Sequence, residues 1–146
     1  MKRLKIIFAV VLLCSLWGPV QALDLSEDID QIIVGKWNLE PNKVFSSGTI
    51  LFDEHNRYEM NQKPRTSSGF GTKGEYQLNC NAVPMQIDLC LDQCGKAGSE
   101  WTTRFGIIRV LSVDKLEIHI SRNSEHPTEF PDAASAELKM ILIRAK

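Results

Sequence analysis

The sequence predicts an all-β domain: eight antiparallel strands closed as an up-and-down barrel, with a short N-terminal helix. Three observations lead there. From Val34 onward the chain is a series of short runs in which apolar and polar residues alternate, separated by Gly, Pro, Asn and Asp. That alternation gives each strand one apolar and one polar face, so the sheet has one wet side. The connections hold no crossover helix, which suits consecutive antiparallel pairing, and closing the sheet on itself removes its exposed edges. A two-sheet sandwich answers to the same pattern and is the alternative architecture.

The chain has 146 residues, 43% of them hydrophobic and 24% charged, with a net charge of -1, which is the profile of one globular domain. A collagen-like repeat, a polar disordered chain, a multi-domain enzyme and a strongly basic nucleic-acid binder are all excluded.

Residues 1–22 read as a secretory signal peptide. Lys2, Arg3 and Lys5 form a positive start, Ile6 to Trp17 is an almost unbroken apolar run of 12 residues, and Gly18-Pro19 ends it. Val20-Gln21-Ala22 places small or aliphatic residues where a signal peptidase cuts, after Ala22. A spanning helix needs about 20 apolar residues, so no membrane insertion is expected after cleavage. Residues 23–146 then form a single domain for a periplasmic or secreted setting. Loss of three basic residues leaves 14 basic against 18 acidic, a net charge of -4, with nothing overall to attract nucleic acid.

Within that domain, Leu23 to Ile33 is a short helical lead-in. Asp24 or Ser26 can cap it, Glu27 and Asp28 suit its first turn, and Ile29, Ile32 and Ile33 share a face. The first strand is Val34 to Leu39, stopped by Pro41, and the second is Gly48 to Phe52. The turn Asp53-Glu54-His55-Asn56 leads into the third, Arg57 to Asn61. A Ser- and Gly-rich stretch, Thr66 to Gly71, reads as a loop or mobile edge before the fourth strand, Gly74 to Leu78. A tight turn at Asn81-Ala82-Val83-Pro84 joins it to the fifth, Met85 to Leu91. The sixth is Trp101 to Leu111, Asp114 marks the turn to the seventh, Leu116 to Ser121, and a longer connection, Arg122 to Ser135, precedes the eighth, Ala136 to Arg144.

Strand parity assigns faces. Leu116, Ile118 and Ile120 oppose Lys115, Glu117 and His119; Met85, Ile87, Leu89 and Leu91 oppose Gln86, Asp88 and Cys90. The expected inward set is Phe52, Tyr58, Met60, Tyr76, Met85, Ile87, Phe105, Ile118 and Met140. An eight-stranded barrel is just wide enough either to fill with its own side chains or to hold one small ligand. Methionines adapt to a re-packing pocket and fill gaps in a solid core equally well. Side-chain identities carry no volume, so both readings stand at this point.

Three cysteines follow the signal segment: Cys80, Cys90 and Cys94. If the fourth and fifth strands form a hairpin about Ala82, Cys80 and Cys90 are about 20 Å apart, well beyond disulfide reach. Cys90–Cys94 is therefore the expected pair, with Cys80 unpaired or bridging a dimer or partner. The spacings do not suit a zinc site, and no metal is expected.

Gly35-Lys36-Trp37 on the first strand, after a short helix, resembles the G-x-W signature of the lipocalin-like (calycin) barrels. The chain is more specifically similar to a small lipocalin-like domain of secreted bacterial proteins. The likeness runs through Gly74-Glu75-Tyr76-Gln77-Leu78, Pro84-Met85-Gln86-Ile87-Asp88-Leu89, Phe105-Gly106-Ile107-Ile108, Asp114-Lys115-Leu116-Glu117-Ile118 and His126-Pro127-Thr128-Glu129-Phe130. It spans nearly all of residues 32–144. The three cysteines and the extra residues around Asp92 to Ser99 depart from it. The resemblance implies that Arg144 packs across Trp37, and it implies a fold with no established catalytic activity.

Gly69-Phe70-Gly71-Thr72-Lys73-Gly74 matches G-x-G-x-x-G, but a strand follows where dinucleotide binding needs a helix, so it reads as a flexible loop. His55, His119 and His126 belong to no nucleophile or metal motif. No enzyme activity and no cofactor are expected. The expected role is binding of a small, largely apolar ligand inside the barrel, oriented by the Tyr58 and Tyr76 hydroxyls. The alternative is a filled scaffold whose loops, Gln62 to Gly71 and Arg122 to Ser135, form a protein-interaction or envelope-associated surface, with Cys80 available for a disulfide-linked partner.

Overall fold

The computed structural model describes residues 28–98, 102–132 and 139–146. Helix α1 (Ile29–Ile33) precedes β1 (Gly35–Leu39), β2 (Phe45–Phe52), β3 (Arg57–Pro64), β4 (Phe70–Asn79), β5 (Gln86–Cys90), β6 (Thr103–Ser112), β7 (Lys115–Ile120) and β8 (Lys139–Arg144). Each strand pairs antiparallel with the next, and β8 returns to β1, so the sheet is a closed barrel. The eight-stranded barrel is as expected, and the sandwich is excluded. The signal segment 1–22, the start of the expected helix at 23–27, Trp101 and residues 136–138 of the last expected strand lie outside the described residues.

Two strands begin earlier than their alternation suggested, and a third runs further. β2 starts at Phe45, β3 continues to Pro64, and β4 starts at Phe70, so 66–69 stay outside the strands as expected while Phe70 to Gly74 of the G-x-G-x-x-G run are strand. The ladder accounts for this: Gln62 pairs with Phe70, Asn61 with Gly71 and Tyr58 with Gly74. Gly74 is needed for close packing, since a Cβ there would collide with the Cys90 carbonyl oxygen. The G-x-G-x-x-G spacing thus serves strand contact.

One end of the barrel is closed by α1. Ile29 and Ile33 are fully buried against Trp37, whose indole Nε1 donates to the Ile33 carbonyl at 2.7 Å. The Arg144 guanidinium lies 4.3 Å over the indole ring and donates to the carbonyls of Ile32 at 2.6 Å and Val113 at 3.1 Å. Gly35 has φ +130°, and a Cβ there would come within 2.9 Å of Arg144 Nη1, so the first residue of the G-x-W run is glycine for two independent reasons.

The expected wet outer face needs one correction. Glu117 lies on that face, yet its side chain is only 1% exposed, and the outward Ile107 is fully buried. The cause is the chain after β7, which lies back over the outside of the sheet. His126 Nε2 sits 2.6 Å from Asp88 Oδ1 and packs edge-on against Phe105, while Phe130 lies under the Arg109 guanidinium. Glu117 is held between Arg109, which donates from Nε at 2.7 Å, and Lys139, with Nζ at 2.8 Å.

Cys90 and Cys94 form the disulfide, with Cα atoms 5.4 Å apart. Cys80 is exposed and unpaired at the β4–β5 turn.

Candidate functional site

Antiparallel order sends the connections β1–β2, β3–β4, β5–β6 and β7–β8 to the end opposite α1. At that open end lies a cavity of about 410 Å³, within the roughly 300–1,000 Å³ range of small-molecule sites. Tyr58, Met60, Thr72, Leu89 and Met140 form its inner wall; Phe45, Gln62, Phe70, Leu91, Arg104, Ile120, Ser121 and Arg122 stand nearer the mouth. Phe70 and Leu91 are among the exposed large apolar side chains, so the rim sets apolar surface beside the polar Gln62, Arg104, Ser121 and Arg122. A larger hollow of about 660 Å³ runs past Asn38, Thr49, Asn61 and Lys63. It is an open depression along β1–β4 and offers no enclosure.

The register explains why these side chains meet. Phe52, Tyr58 and Gly74 are successive cross-strand partners, as are Ile50, Met60 and Thr72, and Gly48, Gln62 and Phe70. On the other wall Leu89 pairs with Arg104, and Ile118 with Met140. Glycine at positions 48 and 74 lets the Leu39 side chain and the Cys90 backbone approach closely, so no void opens beside either.

Of the nine residues expected to line the interior, Tyr58, Met60 and Met140 do line the cavity. Phe52, Tyr76, Ile87 and Ile118 lie in the packed core below it, with Met85 partly buried against them. The barrel is therefore filled at the helix end and hollow at the other. Two expectations are corrected. Phe105 points to the outer face, paired with Asp88 and packed on His126, because 106 and 108 carry the inward parity of β6. Tyr76 is committed to the closed end, where its hydroxyl donates to the Asp53 carbonyl at 3.2 Å and its ring meets Phe52 edge-on at 5.0 Å. Sequence reasoning missed Gln62, Thr72 and Arg104. The signal was present as parity, since 58, 60 and 62 share a face, as do 104, 106 and 108, but polar side chains obscured it.

The polar groups of the cavity are few. Burial pushes the Tyr58 phenol above its ordinary pKa, with Thr72 and the Arg104 charge opposing, so the hydroxyl remains a donor at neutral pH. Thr72 Oγ1 is buried without a hydrogen-bond partner, for although it is the phenol's polar neighbour the two are not in bonding geometry. Gln62 Nε2 rests 3.4 Å from Met140 Sδ. Among the described residues no group of three His, Cys, Asp or Glu side chains converges as a metal site would. The His126–Asp88 pair stands on the outer wall, away from this cavity.

The chain matches no known protein family and no curated protein. Its function has to be read from the barrel itself.

Proposed function

We propose that this chain is a secreted, non-enzymatic binding protein of the lipocalin-like type, holding a small, largely apolar ligand at the open end of its barrel. The carrying observation is the cavity of about 410 Å³ walled by Tyr58, Met60, Leu89 and Met140, in a barrel otherwise packed with its own side chains. Concave, mostly apolar sites with a few polar groups are what small-ligand binding requires. Tyr58 and Thr72 offer hydroxyls for orientation. The N-terminal segment supports export, and the mature domain acts in the periplasm or outside the cell.

Native mass spectrometry of the protein recovered from its own envelope or medium, beside a denatured control, tests this reading. A small-molecule mass lost on denaturation is the expected result. A bare protein mass, together with no uptake of a neutral long-chain alcohol, overturns it. A second reading draws on the exposed Cys80: a scaffold joined through that thiol to a partner or a second copy. It predicts a heavier species that disappears on reduction.

A further inference from the structure

We infer that the ligand is a single-chain amphiphile with an anionic head group, carboxylate or phosphate, held at the barrel mouth by Arg104. This rests on the cavity being the ligand site and adds the chemistry of the ligand's polar end. Arg104 pairs in register with Leu89, whose side chain is buried in the barrel, so its own side chain takes the inward side of β6. It lines the cavity at the mouth and makes no hydrogen bond or ion pair among the described residues. Its charge reaches the Tyr58 phenol, so both groups address one space.

Among the described residues, the cavity wall beside Arg104 holds no carboxylate. Arg104 is exposed at the lip of the apolar cavity, free to turn toward an incoming anion, and its rigid fork suits carboxylate or phosphate oxygens. Below that charge the wall becomes apolar at Leu89, Met60 and Met140, which fits a hydrocarbon chain directed inward. The buried, unpartnered Thr72 hydroxyl lies on the same wall and can bond a head-group oxygen or a water beside it.

Isothermal titration of the full domain tests this with four probes of equal chain length, each below its micelle threshold: dodecanoate, dodecyl phosphate, dodecanol and dodecyltrimethylammonium. At least one anion should bind roughly 10- to 100-fold tighter than dodecanol, the worth of one charge-assisted hydrogen bond, and the cation weakest. Whichever anion leads names the head group. Arg104→Gln should bring the anions down to the alcohol's affinity, and Arg104→Lys should restore much of the preference. The exposed, unbonded Arg104 side chain makes these variants safe for folding, which circular dichroism checks. If anions and alcohol bind alike, or if Arg104→Gln keeps the preference, the head-group assignment fails while the cavity reading stands. If none of the four binds, both fail.

Discussion

Gly35, Trp37 and Arg144 form one mechanical unit at the closed end, and each is held there by a different force. Trp37 supplies buried area, Arg144 supplies a cation over the ring and hydrogen bonds to three carbonyls, and Gly35 supplies the φ of +130° that lets them approach. Truncating Trp37 to alanine should cost about 3–5 kcal/mol in urea unfolding, as for other large core aromatics. Gly35→Ala should cost about 1–3 kcal/mol, since it adds a strained backbone to the contact with Arg144. Glu117 makes a pH-dependent contribution. Burial alone would raise its pKa, but the hydrogen bonds from Lys139 and Arg109 outweigh burial and hold the carboxyl below its ordinary value. The charged form is thus favoured in the folded state. Its stabilisation is fully present above the ordinary glutamate range, near pH ~4.3, and is lost as pH falls through the lower folded value. Melting temperatures of wild type and Glu117→Gln should differ most at neutral pH and converge in acid.

At the scale of elements, β4 and the chain after β7 carry the lessons. Gly74→Ala drives a methyl into the backbone of β5 and should separate the two strands locally, with a loss of about 2 kcal/mol or more. Replacing Cys90 and Cys94 together by serine opens a short loop, and chain entropy puts the cost at about 2 kcal/mol, measured by denaturant unfolding with the barrel retained. Strands with one apolar and one polar face, such as the third and fifth, could be read from sequence because burial and periodicity agree there. The start of β4 could not, because Phe70-Gly71-Thr72-Lys73-Gly74 has weak strand propensity and becomes strand only through its ladder with β3. In Phe105-Gly106-Ile107-Ile108 both faces are apolar, so parity has no contrast to work on. Phe105 reads as inward from sequence but lies outside, where the chain folding back over that face covers it. The Cys90–Cys94 pair was accessible from hairpin geometry alone.

For the whole molecule, the division into a packed half and a hollow half predicts a gradient of stability. Side-chain packing on Trp37, Phe52, Tyr76 and Ile87 makes the helix end the best protected, and amide exchange should be slowest there. The open ends of β3 and β4, around Gln62 and Phe70, should exchange sooner, and a bound ligand should slow them selectively. The sequence revealed the number of strands and their antiparallel order but left the hollow undecided, because a void depends on how far Gly48 and Gly74 let neighbouring strands and side chains approach.

The seam between β1 and β8 sets the order in which the molecule can assemble. Arg144 bonds the Val34 carbonyl across a sequence separation of 110 residues, whereas every other strand pairing joins chain neighbours. Hairpins can therefore form early and locally, but ring closure waits for residues 139–144 to meet 35–39 and carries a loop-entropy cost that only the completed seam offsets. Until then β1 and β7 are bare edges able to pair with other chains. The vulnerable moment of this protein is kinetic, and it falls just before its last strand arrives.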